Sequence, residues 1–323
     1  MDNVADVPRF ADQALADLLG TLAALPPMSA SGDVAALRAM TDERSAQRPP
    51  GPAMATLDLG AAAGRPPVRA YDPAGAAGAP VGIDGRPVVV YLHGGGWTIG
   101  GVASHDRACR RMAARSGAVV VAVDYRLAPE HPAPASIDDT VAVLEWLADA
   151  PAALGGRAAS VTVAGDSAGG ALAALAALRT RGSAAAPDRL VTAYANTDLA
   201  AADATMVDLA HGFGLDAADV AWFNEQWVPD RTRWADPDVS PLHEPDLAGL
   251  CPATIVTCEL DPLRSQGEAF AHRLVDAGVP VTIRREPGMV HNFLLWDLQS
   301  PACAAAGDRF ADDLARRGES IRR

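Results

Sequence analysis

A serine flanked by glycines is the residue of this sequence best placed for covalent chemistry. The segment GDSAGG at 165–170 follows an apolar run at 161–164 and precedes an Ala- and Leu-rich helical pattern at 168–180. Strand, sharp turn and helix together form a nucleophile elbow, in which small neighbours let strand and helix pass closely and backbone strain raises the hydroxyl above the sheet. The positive end of the helix points to the same place. We therefore predict that Ser167 is a nucleophile; an ordinary glycine-rich helix start is the alternative.

A second glycine-rich segment could bind the negative charge that attack by a serine creates. HGGGW at 93–97 directly follows the apolar run 88–92, and its adjacent glycines expose backbone N–H groups. With the N–H of Ala168 they would form an oxyanion hole. A dinucleotide loop is excluded, because Ile99 stands where the third glycine belongs and no acidic partner follows about 20 residues later. A plain structural turn is the alternative.

A serine nucleophile needs a base. Among seven histidines, His291 follows the last clear strand pattern, 281–284, in a loop that would lie at the carboxyl edge of the sheet beside the elbow. His93 is expected to hold the glycine-rich segment in shape, and His272 lies inside a helical pattern. We predict His291 as the base; a surface position for this loop histidine is the alternative.

The base in turn needs an acid that orients it. Asp261 follows the strand pattern 254–258 and precedes His291 by one strand–helix–strand unit. The resulting order of serine, aspartate and histidine is the hydrolase order. Glu259 is the rival acid, two residues earlier and still within or at the end of the strand. An N-cap role for Asp261 is the other interpretation, and one residue could serve both purposes.

Composition excludes several other kinds of chemistry. The formal net charge of −13 argues against nucleic acid or an anionic membrane as a partner, and the only basic cluster, 316–323, is short. The chain contains no lysine, which excludes Schiff-base and Ser–Lys mechanisms, and its Arg and Ala richness indicates a bacterial coding bias. Four scattered cysteines and no metal-binding motif predict neither metal nor cofactor. Without a visible signal peptide or a membrane-length apolar stretch, a cytoplasmic protein is expected.

Apolar runs that alternate with helical patterns predict the scaffold. Fully apolar strands separated by helices indicate an α/β fold, with a mostly parallel central sheet covered by helices on both faces. The strand patterns lie at 88–92, 118–123, 161–164, 190–193, 254–257 and 281–283, and the helical patterns at about 105–115, 136–149, 168–180, 265–277 and 302–317.

Two segments depart from this alternation. Residues 1–50 read as a helical segment that ends in a proline-rich linker at 48–52, and residues 51–323 form the main domain. An insertion at about 199–234 concentrates aromatic residues and would pack over the carboxyl edge of the sheet. Ordinary helical core with aromatic filler is the alternative interpretation of this insertion. Its aromatic residues are Phe213, Trp222, Phe223 and Trp227.

The motifs together resemble the hormone-sensitive-lipase-like esterases, bacterial family IV of the α/β-hydrolase superfamily. HGGGW at 93–97, DYRLAPEHPAP at 124–134, GDSAGG at 165–170, DPLR at 261–264 and the late His291 occur in the family's order. The resemblance covers roughly residues 65–315. From the residues themselves, we expect the charges of 124–134 to pair with one another and to brace the glycine-rich segment.

The resemblance implies an α/β-hydrolase fold with a mobile helical cap, made by the N-terminal segment and the insertion. It implies a triad of Ser167, His291 and Asp261, with oxyanion N–H groups from Gly95, Gly96 and Ala168. A homodimer is compatible with the family.

The expected activity is hydrolysis of uncharged esters with short or medium acyl chains through an acyl-enzyme. The expected partner is a small-molecule ester substrate, and the family resemblance also allows a second copy of the chain in a homodimer. Trp97, Phe293 and Asp166 are the candidate substrate-binding residues of an apolar pocket. An amidase or an acetyl hydrolase of a natural product is one alternative. A catalytically silent, ligand-binding relative is the other, although such proteins typically lack the base.

Overall fold

One eight-stranded sheet forms the centre of the molecule. The structure is a computed structural model that describes residues 10–62 and 64–315. The strand order is β1-β2-β4-β3-β5-β6-β7-β8; β1–β2 and β2–β4 pair antiparallel, and all other neighbours pair parallel. This mostly parallel sheet confirms the predicted fold class. The strands are β1 Ala55–Leu59, β2 Val68–Asp72, β3 Pro87–Leu92, β4 Val119–Val123, β5 Ser160–Asp166, β6 Arg189–Ala193, β7 Ala253–Leu260 and β8 Val281–Val290.

Helices cover both faces of the sheet because its central strands are apolar on both sides. In β3, Val88 and Val90 lie in the core on the sheet face that α5, α6 and α9 cover, whereas Val89 and Tyr91 lie in the core on the face that α1, α4 and α10 cover. Alternate residues of a strand point to opposite faces, so a continuous apolar run requires two covered faces. The helices are α1 Gln13–Leu22, α2 Met28–Ser31, α3 Val34–Ala46, α4 Val102–Ser116, α5 Ala135–Ala148, α6 Ala168–Thr180, α7 Ala204–Asp208, α8 Ala217–Trp227, α9 Arg264–Asp276 and α10 Pro301–Ala315.

The predicted elements of the scaffold are all present, with small shifts at their ends. The largest difference is in β8, which continues to Val290 because Leu260 of β7 pairs with Val290 beyond a register shift. Strands β1 and β2 had no sequence prediction. Strand β1 lies at the sheet edge, where most of its residues are only partly buried, and β2 lies between β1 and β4. Residues 1–9 of the predicted N-terminal segment, the basic cluster 316–323 and the last two residues of the helix predicted at 302–317 lie outside the described residues.

The strand ends determine where the predicted site residues lie. The glycine-rich segment follows β3, Ser167 follows β5, Asp261 follows β7 and His291 follows β8. Carboxyl ends of parallel strands meet at one edge of a sheet, so these residues share that edge. Across the described ranges, no helix has the length and apolar character needed to cross a bilayer.

Candidate active site

Ser167 occupies a strained turn between β5 and α6. Its backbone angles are φ 53° and ψ −122°, a conformation that L residues adopt rarely. Two glycines allow the strand and the helix to approach. A Cβ atom on Gly169 would lie 2.1 Å from the carbonyl oxygen of Leu92, and one on Gly165 would lie 2.3 Å from that of Gly169. The turn therefore needs glycine at both positions.

Three side chains meet above this turn in hydrogen-bonding succession. His291 Nε2 lies 2.9 Å from Ser167 Oγ, and His291 Nδ1 lies 2.9 Å from Asp261 Oδ2. Asp261 is fully buried and His291 is 1% exposed. A carboxylate only accepts hydrogen bonds, so a neutral imidazole here carries its proton on Nδ1, and Nε2 is free to accept the serine proton.

Asp261 also stabilises the turn before α9. Its Oδ1 accepts the backbone N–H of Leu263 at 2.8 Å, while Leu263 itself is the N-cap residue of α9. The rival acid, Glu259, lies elsewhere: its Oε2 accepts the N–H of Gly288 at 2.6 Å. The structure thus brings Asp261, and not Glu259, to His291.

The glycine loop, residues 93–97, lies beside Ser167 with free backbone donors. Gly94 N–H donates to Asp166 Oδ1 at 2.9 Å. Within the described parts of the chain, the N–H groups of Gly95, Gly96 and Ala168 have no protein acceptor, and all three residues line the cavity that contains Ser167. Such donors can stabilise a negatively charged oxygen.

Two candidate substrate-binding residues do not lie in the cavity wall, and we correct that prediction. Asp166 and Phe293 are both fully buried. Asp166 accepts the hydroxyl of Tyr91 at 2.6 Å in addition to Gly94 N–H, and the ring of Phe293 packs edge-on against Tyr194 at 5.1 Å. Trp97 does line the cavity, but it is only 1% exposed.

The buried groups beneath the glycine loop have shifted pKa values. Burial alone would raise the pKa of Asp166, but nearby His105 and the hydrogen bond from Tyr91 outweigh it and lower that pKa, so Asp166 is ionised. Burial, followed by the effect of His105, lowers the pKa of His93 to about 3, so His93 is neutral. Its ring stacks on Tyr125 at 4.2 Å.

The segment 124–134 braces the glycine loop, but its charges do not pair with one another as predicted. Tyr125 Oη donates to His93 O at 2.7 Å, and Ala128 N–H donates to Trp97 O at 2.9 Å. Arg126 pairs with Asp139 of α5, and Glu130 pairs with Arg38 of α3. These charges therefore join the segment to neighbouring helices.

A cavity of about 1420 Å³ opens above Ser167. Both the N-terminal helices and the insertion contribute to its wall, and Ser29 N–H of α2 donates to Asp219 Oδ1 of α8 at 2.7 Å. The wall is largely apolar, with Leu18, Leu22, Met28, Leu37, Met40, Leu215, Val220, Phe223, Leu295 and Trp296 among its residues.

Neither metal nor disulfide chemistry has a site in the described ranges. No cluster of three or more His, Cys, Asp or Glu side chains there could hold a metal ion. The four cysteines, Cys109, Cys251, Cys258 and Cys303, are free thiols. Burial raises the pKa of Cys258 well above its ordinary value, which makes this thiol a poor nucleophile.

The chain is similar to proteins that are named as esterases and ester hydrolases. Residues 89–295 match the model of a family described by the α/β hydrolase fold. Carboxylesterase NlhH of Mycobacterium tuberculosis is 41% identical over 254 residues, which cover 75% of this chain and 76% of that protein. Ethyl acetate hydrolase of Pseudomonas putida is 37% identical over 64% of this chain and 65% of its own length. The solved structure of a hyperthermophilic esterase from Pyrobaculum calidifontis superimposes with a TM-score of 0.82 at 34% identity, covering 94% of this chain and 97% of that one.

Proposed function

Because the chain belongs to the family with the α/β hydrolase fold, we propose that it hydrolyses carboxylic esters with Ser167, His291 and Asp261 as its catalytic triad. Relatives named carboxylesterase, ethyl acetate hydrolase and arylesterase support ester hydrolysis. The observation that carries the assignment of residues is the pair of 2.9 Å contacts that joins the three side chains.

The geometry suggests the order of the proton transfers. Ser167 Oγ attacks the ester carbonyl while His291 Nε2 takes the hydroxyl proton, and His291 then donates it to the departing alcohol. Asp261 holds the imidazole in the required tautomer and stabilises its protonated form. Water repeats the attack on the acyl-enzyme and releases the acid.

The N–H groups of Gly95, Gly96 and Ala168 are the proposed oxyanion donors. They are backbone groups at fixed positions, so little reorganisation is needed when the carbonyl oxygen gains charge. Each such donor contributes about 3 kcal/mol of transition-state stabilisation in well-studied hydrolases.

The cavity supports a preference for uncharged esters with short or medium acyl chains. Its mostly apolar wall favours apolar substituents on either side of the ester.

We assign the cap to residues 1–50 and about 199–234, and the catalytic domain to the rest of 51–323. The bacterial source, cytoplasmic location and homodimer stay predictions; cell fractionation tests the location and light scattering the dimer.

Replacing the nucleophile tests the proposal directly. Ser167→Ala should abolish turnover of p-nitrophenyl butyrate while the melting temperature stays close to that of the parent. Ser183→Ala is the matched control, because the bonds of Ser183 Oγ are local: it donates to Thr180 O at 2.7 Å and accepts Ala185 N–H at 3.1 Å. Full activity in S167A would overturn the assignment. Faster turnover of butyryl anilides than of esters would favour an amidase. Tight binding of a ligand without any turnover would favour a catalytically silent, ligand-binding relative.

A further inference from the structure

Three consecutive glycines need external contacts to hold one conformation. Gly95 and Gly96 have φ values of 116° and 57°, and a glycine backbone changes such angles at little cost. On one side, Gly94 N–H bonds to Asp166, Gly95 O accepts the N–H groups of Thr98 and Ile99 at 3.1 and 3.0 Å, and Thr98 Oγ1 donates to Gly96 O at 2.9 Å. These bonds fix the peptide groups relative to one another, and the position of the loop as a whole against Ser167 also needs a contact on the other side of Gly96.

The ring of Phe223 covers Gly96. A Cβ atom added to Gly96 would lie 2.2 Å from Cγ and 2.4 Å from Cδ1 of that ring, so the ring rests directly on the glycine Cα. Phe223 belongs to α8 in the insertion, lines the cavity and is 5% exposed.

A second contact fixes the same helix face on the same loop. Trp227 stacks on Trp97 with ring centroids 4.1 Å apart and planes within 6°. Phe223 and Trp227 are four residues apart and therefore share one face of α8, while Gly96 and Trp97 are neighbours in the loop. Trp227 Nε1 also donates to Ser136 Oγ of α5 at 3.1 Å. Trp227 thus anchors the helix independently of Phe223.

We propose that Phe223 is a positioning residue for the oxyanion hole, an inference that rests on the function proposed above. Its ring holds Gly96 so that the N–H groups of Gly95 and Gly96 face the carbonyl oxygen of the ester. Without the ring, the glycine loop can shift as a unit into the space above Gly96 and carry its N–H groups away from that oxygen. The lost hydrogen bonds destabilise the transition state, in which the oxygen is charged, more than they weaken substrate binding. Seating of α8 on the loop thereby completes the site.

The test separates this role from simple shaping of the pocket. Phe223→Ala should lower kcat for p-nitrophenyl butyrate at least about tenfold, since loss of a whole oxyanion donor costs about 10²–10³-fold, with little change in KM. The inhibition constant of butylboronic acid should rise in parallel, because its tetrahedral adduct with Ser167 places an oxygen in the hole. Phe223→Leu still covers Gly96 and should recover most of both losses.

Val220→Ala is the matched control on the same helix. Val220 lines the cavity but packs with Leu215 and Leu263, so its truncation should leave the ratio of boronate inhibition constant to KM unchanged. Should F223A not fold, Phe223→Val gives the same comparison.

An F223A enzyme with parental kcat and boronate affinity, or with only a raised KM, would overturn the positioning role. A parent enzyme that neither hydrolyses esters nor binds the boronate would instead overturn the proposed function.

Discussion

Asp261→Asn probes how the base is oriented, and the structure determines which way the new amide must face. Asp261 Oδ1 accepts Leu263 N–H at 2.8 Å, and Oδ2 lies 2.9 Å from His291 Nδ1. A backbone N–H can only donate, so the amide oxygen must stay at Leu263 and the NH₂ group must face His291. Nδ1 then becomes an acceptor, and the imidazole proton moves to Nε2. There it faces Ser167, and the base can no longer accept the hydroxyl proton.

The expected loss is about 10⁴-fold in kcat, or roughly 5.5 kcal/mol of barrier. KM should change little, because Asp261 is fully buried behind His291. The fold should persist, since both hydrogen bonds keep a donor and an acceptor. Steady-state hydrolysis of p-nitrophenyl butyrate and a thermal melt measure the two effects.

Glu259→Gln is the matched control, because it makes the same chemical change two residues away. Glu259 bonds to Gly288 N–H, so kcat should stay within a few-fold of the parent. D261N activity within an order of magnitude of the parent, or a greater loss in E259Q, would refute the reasoning.

Two further predictions concern stability and the cap. Burial, and then His105, lowers the pKa of His93 to about 3 in the folded protein, whereas the same group in the unfolded chain has a pKa near 6.5. Between these two values only the unfolded chain binds the proton. The free energy of unfolding therefore falls by up to about 1.4 kcal/mol per pH unit as the pH falls from 6.5 toward 3. His93→Gln should flatten this slope in urea unfolding between about pH 7 and 5, and an unchanged slope would contradict the assignment. Arg38 of α3 donates to Thr98 O, Ala128 O and both carboxylate oxygens of Glu130. Because the ion pair is partly exposed, Arg38→Met should lower the free energy of unfolding by only about 1–2 kcal/mol. It should also speed proteolysis of the 48–52 linker, because α3 is then held less firmly on the segment 124–134. Equal proteolysis rates in variant and parent would show that Arg38 does not hold α3 in place.

Local sequence patterns were sufficient to find the residues that meet at the sheet edge. The elbow at Ser167 is encoded within six residues, because the glycines, the preceding apolar run and the following helix are adjacent in the chain. His291 and Asp261 could be chosen because residues that follow parallel strands converge at one edge.

Contacts between distant segments could not be predicted in the same way. Asp166 and Phe293 were expected to contact substrate because they neighbour Ser167 and His291 in sequence, yet both point into the core. The charges of 124–134 pair with residues on other elements, at Arg38 and Asp139. The packing of Phe223 on Gly96 joins residues 127 positions apart, and no periodicity in the chain indicates it.

The buried carboxylate of Asp166 links the two halves of the site. It accepts Gly94 N–H from the loop after β3, and it also accepts the hydroxyl of Tyr194, just beyond β6, at 3.3 Å. The ring of Tyr194 in turn packs on His291, with centroids 4.6 Å apart.

An ionised carboxylate in the core is costly unless nearby groups compensate for lost water. Here His105, the Tyr91 hydroxyl and the two contacts above provide that compensation. Rotation of the glycine loop or displacement of Tyr194 would remove part of it. The charge therefore penalises any motion that changes the distance between the glycine loop and His291. A neutral residue at position 166 could fill the same space, but losing its hydrogen bonds would cost much less free energy when the loop or Tyr194 moves. This difference is a physical reason for an acid, rather than an amide or an alanine, directly before Ser167.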